Sequence, residues 1–194
     1  MKKTMKYLFM FVATLTMGMA VVACGSDSDN NNDNGGNGGG SSSSTIAIDG
    51  KNVGIQSVQL LQDGTDEEQM FWFVMTTAES NVLNIHVSKK EEGKTVDLSK
   101  VVEGDIADYW IIDYNVTQNY SMEAKCLMKG MGVDWGGTKF VFNQGSTLYF
   151  KTLGKNKYQL KFNINGPEYN NNTIQHSLAA DWSGEVYNVA SMLD

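Results

Sequence analysis

The residues from Thr45 to Asp194 read as an all-β domain, an antiparallel β-sandwich or a strongly curved single sheet, with a small calycin-like β-barrel as the alternative. Three observations predict this. Apolar and polar residues alternate with period two in one segment after another, as strands with one face in a core require. Glycine, asparagine and aspartate fall between those segments, where hairpins need residues tolerant of positive φ. The segments recur at roughly 8–12-residue spacing, which suits a sandwich or barrel, and only Leu98–Gly104 suits a short helical turn.

In chain order the pattern begins with Thr45–Ile48, the turn Asp49-Gly50 and a strand over Val53–Leu61. Asp63-Gly64 then leads into Gln69–Thr76. Leu83, Ile85 and Val87 share one face against Asn84, His86 and Ser88, and Glu92-Gly93 makes the next turn. Trp110, Ile112, Tyr114 and Val116 oppose Tyr109, Ile111, Asp113 and Asn115. Over Ser121–Lys129, Met122, Ala124, Cys126 and Met128 form the apolar side. Lys139–Asn143 and Thr147–Thr152 follow, separated by Asn143-Gln144-Gly145. After Gly154-Lys155-Asn156, residues Tyr158, Leu160, Phe162 and Ile164 alternate with Lys157, Gln159, Lys161 and Asn163. Ile174–Trp182, a turn at Ser183-Gly184 and Glu185–Val189 complete about eleven strands.

These 150 residues suffice for one domain that buries about 70% of its unfolded-chain surface. Cys126 is their only cysteine, so no intramolecular disulfide forms and packing carries the stability. Twelve lysines face 19 carboxylates in this stretch, and the chain contains no arginine. Phosphate binding depends on clustered lysine and arginine, so nucleic acid is not the expected partner. Bidentate capture of anionic ligands is disfavoured for the same reason.

The residues ahead of the domain carry a different signal. Lys2, Lys3 and Lys6 precede a 16-residue apolar run, Tyr7–Val22, in the layout of a secretory signal peptide. A membrane-spanning helix needs about 20 apolar residues. Val21-Val22-Ala23-Cys24 resembles the lipobox of bacterial lipoproteins. That resemblance implies cleavage before Cys24, acylation of its sulfur and a membrane anchor, dividing the chain into a signal peptide (1–23), a tether (24–44) and the β-domain (45–194). Gly, Ser and Asn dominate Gly25–Ser44 and bury too little apolar surface to order themselves, so a coil with a reach of roughly 25 Å is expected. Asp27, Asp29 and Asp33 resemble, with Ser28 interrupting them, the export signal of Bacteroides-type surface lipoproteins. This implies a surface-exposed outer-membrane location, with a periplasm-facing one as the alternative. A calcium loop is not matched, because Asn32 and Gly38 stand where an EF-hand needs Gly and Glu.

Candidate chemistry in the domain is sparse. Cys126 falls on an apolar strand face, which predicts a buried, inert thiol and not a nucleophile served by His86 or His176. His86 is expected on a polar face and His176 as a satisfied core or edge residue; two isolated histidines make no zinc motif. Asp63, Asp66, Glu67 and Glu68, like Glu91 and Glu92, read as solvated loop charges. The unusual stretch is Gly130–Gly137, four glycines around Trp135. It predicts a loop whose tryptophan either plugs the core end or stacks on a sugar ring, with Asp134 offering acceptors and Tyr109 extending an aromatic patch. No cofactor or metal is expected. The reading that follows is a non-catalytic lipoprotein presenting a β-domain to a glycan or an envelope protein. The alternatives are a structural subunit of a surface appendage or envelope complex and, behind it, a carboxylate-dependent hydrolase.

Overall fold

Asp49 and Gly50 both take positive φ (50° and 79°), the requirement of a two-residue type I′ hairpin, and they join β1 (Thr45–Ile48) to β2 (Lys51–Asp63). The computed structural model describes residues 44–63, 70–102, 110–117, 124–135 and 138–189. From β2 the chain meanders through β3 (Met70–Thr77), β4 (Val82–Ser88), a 3₁₀ turn at Lys89–Glu91 and β5 (Thr95–Asp97). β6 (Ile111–Thr117) and β7 (Ala124–Met131) follow, then a small ribbon of β8 (Asp134–Trp135) and β9 (Thr138–Lys139). The last strands are β10 (Thr147–Gly154), β11 (Lys157–Glu168), β12 (Asn171–Glu185) and β13 (Tyr187–Asn188).

Eleven of these strands form one sheet, in the order β5-β10-β11-β12-β1-β2-β3-β4-β6-β7, with β13 lying parallel to β2 at Gln59 and Leu60. Every other pairing in it is antiparallel, so the all-β expectation holds as a single sheet. The sheet is strongly curled. Five inter-strand steps of about 4.8 Å separate β3 from β10, roughly 24 Å if flat. Yet the Phe71 and Phe150 rings lie 5.2 Å apart and Phe73 meets Tyr158 of β11 at 5.3 Å. Bulges at Ile55/Ser57 and Leu60/Gln62 bend β2 where its pairing passes from β1 to β3. Alternation then places Phe71, Phe73, Met75, Leu160, Phe162 and Ile164 inside one shared core.

The sheet stops short of a barrel, and its gap is bridged by other means. Tyr169 N donates to Leu127 O (2.8 Å), and the extended segment Phe140–Asn143 bonds to Met131, Leu98 and Asn165. Phe142 is buried in that gap, and glycines on both sides make room for it. A Cβ on Gly130 would lie 2.6 Å from Phe142 Cζ, and one on Gly166 2.8 Å from Cδ1. The polar side chains Lys125 (β7), Glu168 (β11), His176 (β12) and Asp49 form a chain of contacts along the same seam.

Several expectations need correction. Ser183-Gly184 is no turn: β12 runs through it, because the missing side chain of Gly184 accommodates the Trp182 ring, whose Cζ2 would stand 2.9 Å from a Cβ there. The break after β12 falls instead at Val186; the β11–β12 reversal is at Tyr169-Asn170, with Asn170 at φ 68°, and Pro167 sits beside a bulge beyond the reach of β10. Leu98–Ser99 is a turn fixed by Asp97, whose side chain accepts from Ser99 N (3.0 Å), and the short helical turn lies at Lys89–Glu91. Lys139–Asn143 is strand only at Lys139, since the rest serves the gap. Ala124 is exposed where β7 runs past the core.

Candidate functional site

A cavity of about 180 Å³ opens where β4 ends, lined by Val87, Ser88, Glu91, Thr95, Val96, Asp97, Val102 and Trp110. Local chemistry builds each wall. Ser88 caps the 3₁₀ turn by accepting from Lys90 N (3.3 Å), and this sets Glu91 at the rim. Gly93, at φ 75°, lets the chain reverse into β5, while its N–H donates to Phe150 O and Glu92 Oε1 accepts from Thr152 N (2.9 Å each). The turn is thereby strapped to β10.

Asp97 is held at a pKa of about 2 by Lys100 (2.8 Å) and by Ser99 Oγ (2.6 Å) and N–H, so it is ionised at any physiological pH. Trp110 forms the inner wall and is 1% exposed. Its ring stacks on Phe142 (centroids 5.7 Å, 18°), and its carbonyl accepts from Gly132 N (2.8 Å). Its Nε1 has no hydrogen-bond partner. Val102 N donates to Gly132 O (2.8 Å), so two cavity residues also grip the base of the β8–β9 ribbon.

That ribbon carries Asp134 and Trp135, with Asp134 exposed and paired with Lys139 in register. The side chain of Trp135, and all of Tyr109 and Cys24, lie outside the described part of the chain. The predicted loop region is therefore brought beside the cavity through Gly132. Sequence reasoning missed the cavity itself: Glu91 was visible as a loop carboxylate, Trp110 as a core residue, and Asp97 not at all.

The remaining candidates are engaged separately. Cys126 is half-buried, its thiol pushed up to about 11 by burial, and its sulfur donates to Met128 O (3.5 Å), an inert setting. His86 is not on a solvated face. It stacks on Trp72 (4.5 Å), and burial, offset in part by Asp113, lowers its pKa to about 4. His176 Nδ1 meets Asp49 Oδ2 at 2.8 Å, while its buried Nε2, 3.5 Å from Glu168 Oε2, makes no hydrogen bond, so the expectation of a satisfied histidine holds for only one ring nitrogen. Among the described residues no three His, Cys, Asp or Glu side chains converge as a metal site. Comparison with family models, curated proteins and solved structures finds no match.

Proposed function

We propose that this chain is a lipid-anchored, non-catalytic binding module of a bacterial envelope. Cys24 carries the lipid, residues 24–44 act as the spacer, and the β-domain offers its ligand the end where cavity and ribbon meet. The observation that supports this reading is the shared wall: Val102 and Trp110 line the cavity and also fix Gly132 at the ribbon base. A recess beside a short ribbon that includes Trp135 is a geometry suited to gripping the tip of a larger molecule. The lipobox-like Val21–Cys24 and the acidic Asp27–Asp33 stretch support an outer-membrane, outward-facing location.

The full-length protein, extracted in detergent, tests this in two ways. Mass spectrometry should find a diacylglyceryl-modified Cys24 at the mature N-terminus, and protease added to intact cells should remove the domain. Glycan and envelope-protein arrays should return a ligand whose binding weakens in Trp135→Ala. An unmodified sulfur removes the anchor from the reading, and arrays silent for both proteins remove the binding role.

A hydrolase remains the second reading because Glu91 and Asp97 line one cavity, as two carboxylates of a glycoside-cleaving site would. Against it, Asp97 has its oxygens occupied by Ser99 and Lys100. Release of reducing ends from a polysaccharide, abolished in Glu91→Gln, would reverse the order of the two readings. The appendage-subunit reading needs a free strand edge for a second chain. On β7 that edge is engaged at Leu127 by Tyr169 and at Met131 by Phe140.

A further inference from the structure

The polar side chains along the seam between β7 and β11 have a histidine at their centre, placed between two carboxylates. His176 Nδ1 lies 2.8 Å from Asp49 Oδ2, while Nε2 is buried without a hydrogen bond and stops 3.5 Å from Glu168 Oε2. A neutral imidazole has one N–H and one bare nitrogen. Either tautomer therefore sets a lone pair against a carboxylate oxygen. The doubly protonated ring presents an N–H to each carboxylate, and only that form suits both ends of the arrangement.

The partners are fixed independently of the ring. Asp49 Oδ1 accepts from Ser177 N (2.7 Å) and Asp49 N donates to Ser177 O (2.9 Å), so the β1–β2 turn is pinned to β12 whatever the ring carries. Glu168 Oε1 is held by Lys125 of β7 at 2.5 Å, which keeps the carboxyl ionised. Lys51, the cation next along the β1–β2 hairpin, is taken by Glu79 at 2.8 Å. The Asp49 side chain is 46% exposed, so a proton reaches Nδ1 from solvent without any opening of the seam.

We propose that Asp49, His176, Glu168 and Lys125 form a proton-operated latch: with a proton on each nitrogen, the His176 ring bridges Asp49 to Glu168 and, through Lys125, ties β12 and β11 to β7. The proton comes from solvent and no covalent bond of the chain changes. An imidazole ordinarily gains its second proton between pH 8 and pH 5. Because the folded state offers that charge two carboxylates, the added stability is present on the acid side of this interval and is lost as pH rises through it. It is lost again at the acid extreme, once Glu168 itself is protonated. Neither the lipid anchor nor a ligand takes part. The seam carries its own reporter, since Tyr169 N donates to Leu127 O across it (2.8 Å).

Amide hydrogen exchange on the full-length protein in detergent micelles, at pH 8 and pH 5.5 with each rate divided by its intrinsic rate, tests the latch. Protection of the Tyr169 amide should rise roughly tenfold from pH 8 to pH 5.5, the scale of one hydrogen bond to a charged group. Gly93 N–H, bonded to Phe150 O at the far edge of the sheet, should hold constant. ¹⁵N spectra of the His176 ring should show both nitrogens protonated at pH 5.5. The other histidine, His86, is lowered to about 4 by burial, so a response confined to this interval is not its own. His176→Gln should abolish the response. Glu168→Gln should do so too, because a side-chain amide can donate to the bare Nε2 and satisfy the neutral ring.

Three results overturn the inference. One is equal Tyr169 protection at both pH values in the wild type while the ring is doubly protonated at pH 5.5. Another is a ring still singly protonated at pH 5.5. The third is a rise that persists unchanged in His176→Gln, which assigns it to a different group. Should His176→Gln fail to fold, Glu168→Gln decides, and a full wild-type response in that variant overturns the latch.

Discussion

The two gaps left by the curled sheet are treated in opposite ways. At the seam between β7 and β11, glycines at 130 and 166 stand aside for Phe142, whose ring fills the space as core. A few ångströms along the same stack, Trp110 meets Phe142 on one side and borders an open cavity walled by hydroxyls and carboxylates. The difference teaches that absence of side chains does not by itself make a pocket. Two glycines leave a space that is filled because an aromatic ring is supplied to match them, whereas Ser88, Glu91, Thr95 and Asp97 have no such counterpart.

The comparison breaks most visibly at the plug. Phe142→Ala should lower the unfolding free energy by about 3–5 kcal/mol, read from urea midpoints, as for any large side chain removed from a close-packed core. A loss near zero would mean that the seam is as loose as the cavity. Adding one methyl from the other side, in Gly166→Ala, should cost about 1–3 kcal/mol through overpacking. Combined with Phe142→Leu the penalty should be less than additive, because the smaller side chain yields the space; strict additivity would show that the glycine is not there for the ring.

The ionic clasp along the seam sharpens the contrast through pH. Glu168 is 8% exposed, and Lys125, at 2.5 Å, is the main cause that holds its pKa below the ordinary carboxylate value, with His176 assisting. A depressed folded-state pKa adds stability above the unfolded value of about 4.3, and that stability disappears as pH falls through the folded value. Wild type should therefore exceed Lys125→Met in urea resistance at pH 6, and the two should converge toward pH 3. Parallel curves would deny the clasp a part in closing the seam. At the cavity rim Glu91→Gln should change stability by no more than about 0.5 kcal/mol, as a surface residue without a structural partner does.

What was legible in the sequence followed from local rules. The alternation of Tyr158, Leu160, Phe162 and Ile164 gave the inward face of β11, and Asp49-Gly50 gave the first hairpin, since both depend on residues adjacent in the chain. Gly184 was misread because a glycine next to a serine signals a turn as readily as it signals space for Trp182 two residues earlier. The seam was beyond local reading: Gly130, Phe142 and Gly166 come together only once the sheet has curled. The cavity was hidden likewise, because Glu91 and Trp110 each had an ordinary explanation alone, as loop charge and core aromatic, and no local pattern marked Asp97.

The position of β1 has a mechanical consequence. It lies between β12 and β2, bonded on both sides, with Ile46 fully buried and Ser44 O accepting from Ile55 N just before it. Tension transmitted through the residues preceding Ser44 enters the fold at an interior strand and is shared at once by two neighbours. A tug on that end must shear two ladders together, while the same tug on an outermost strand would unzip one bond at a time.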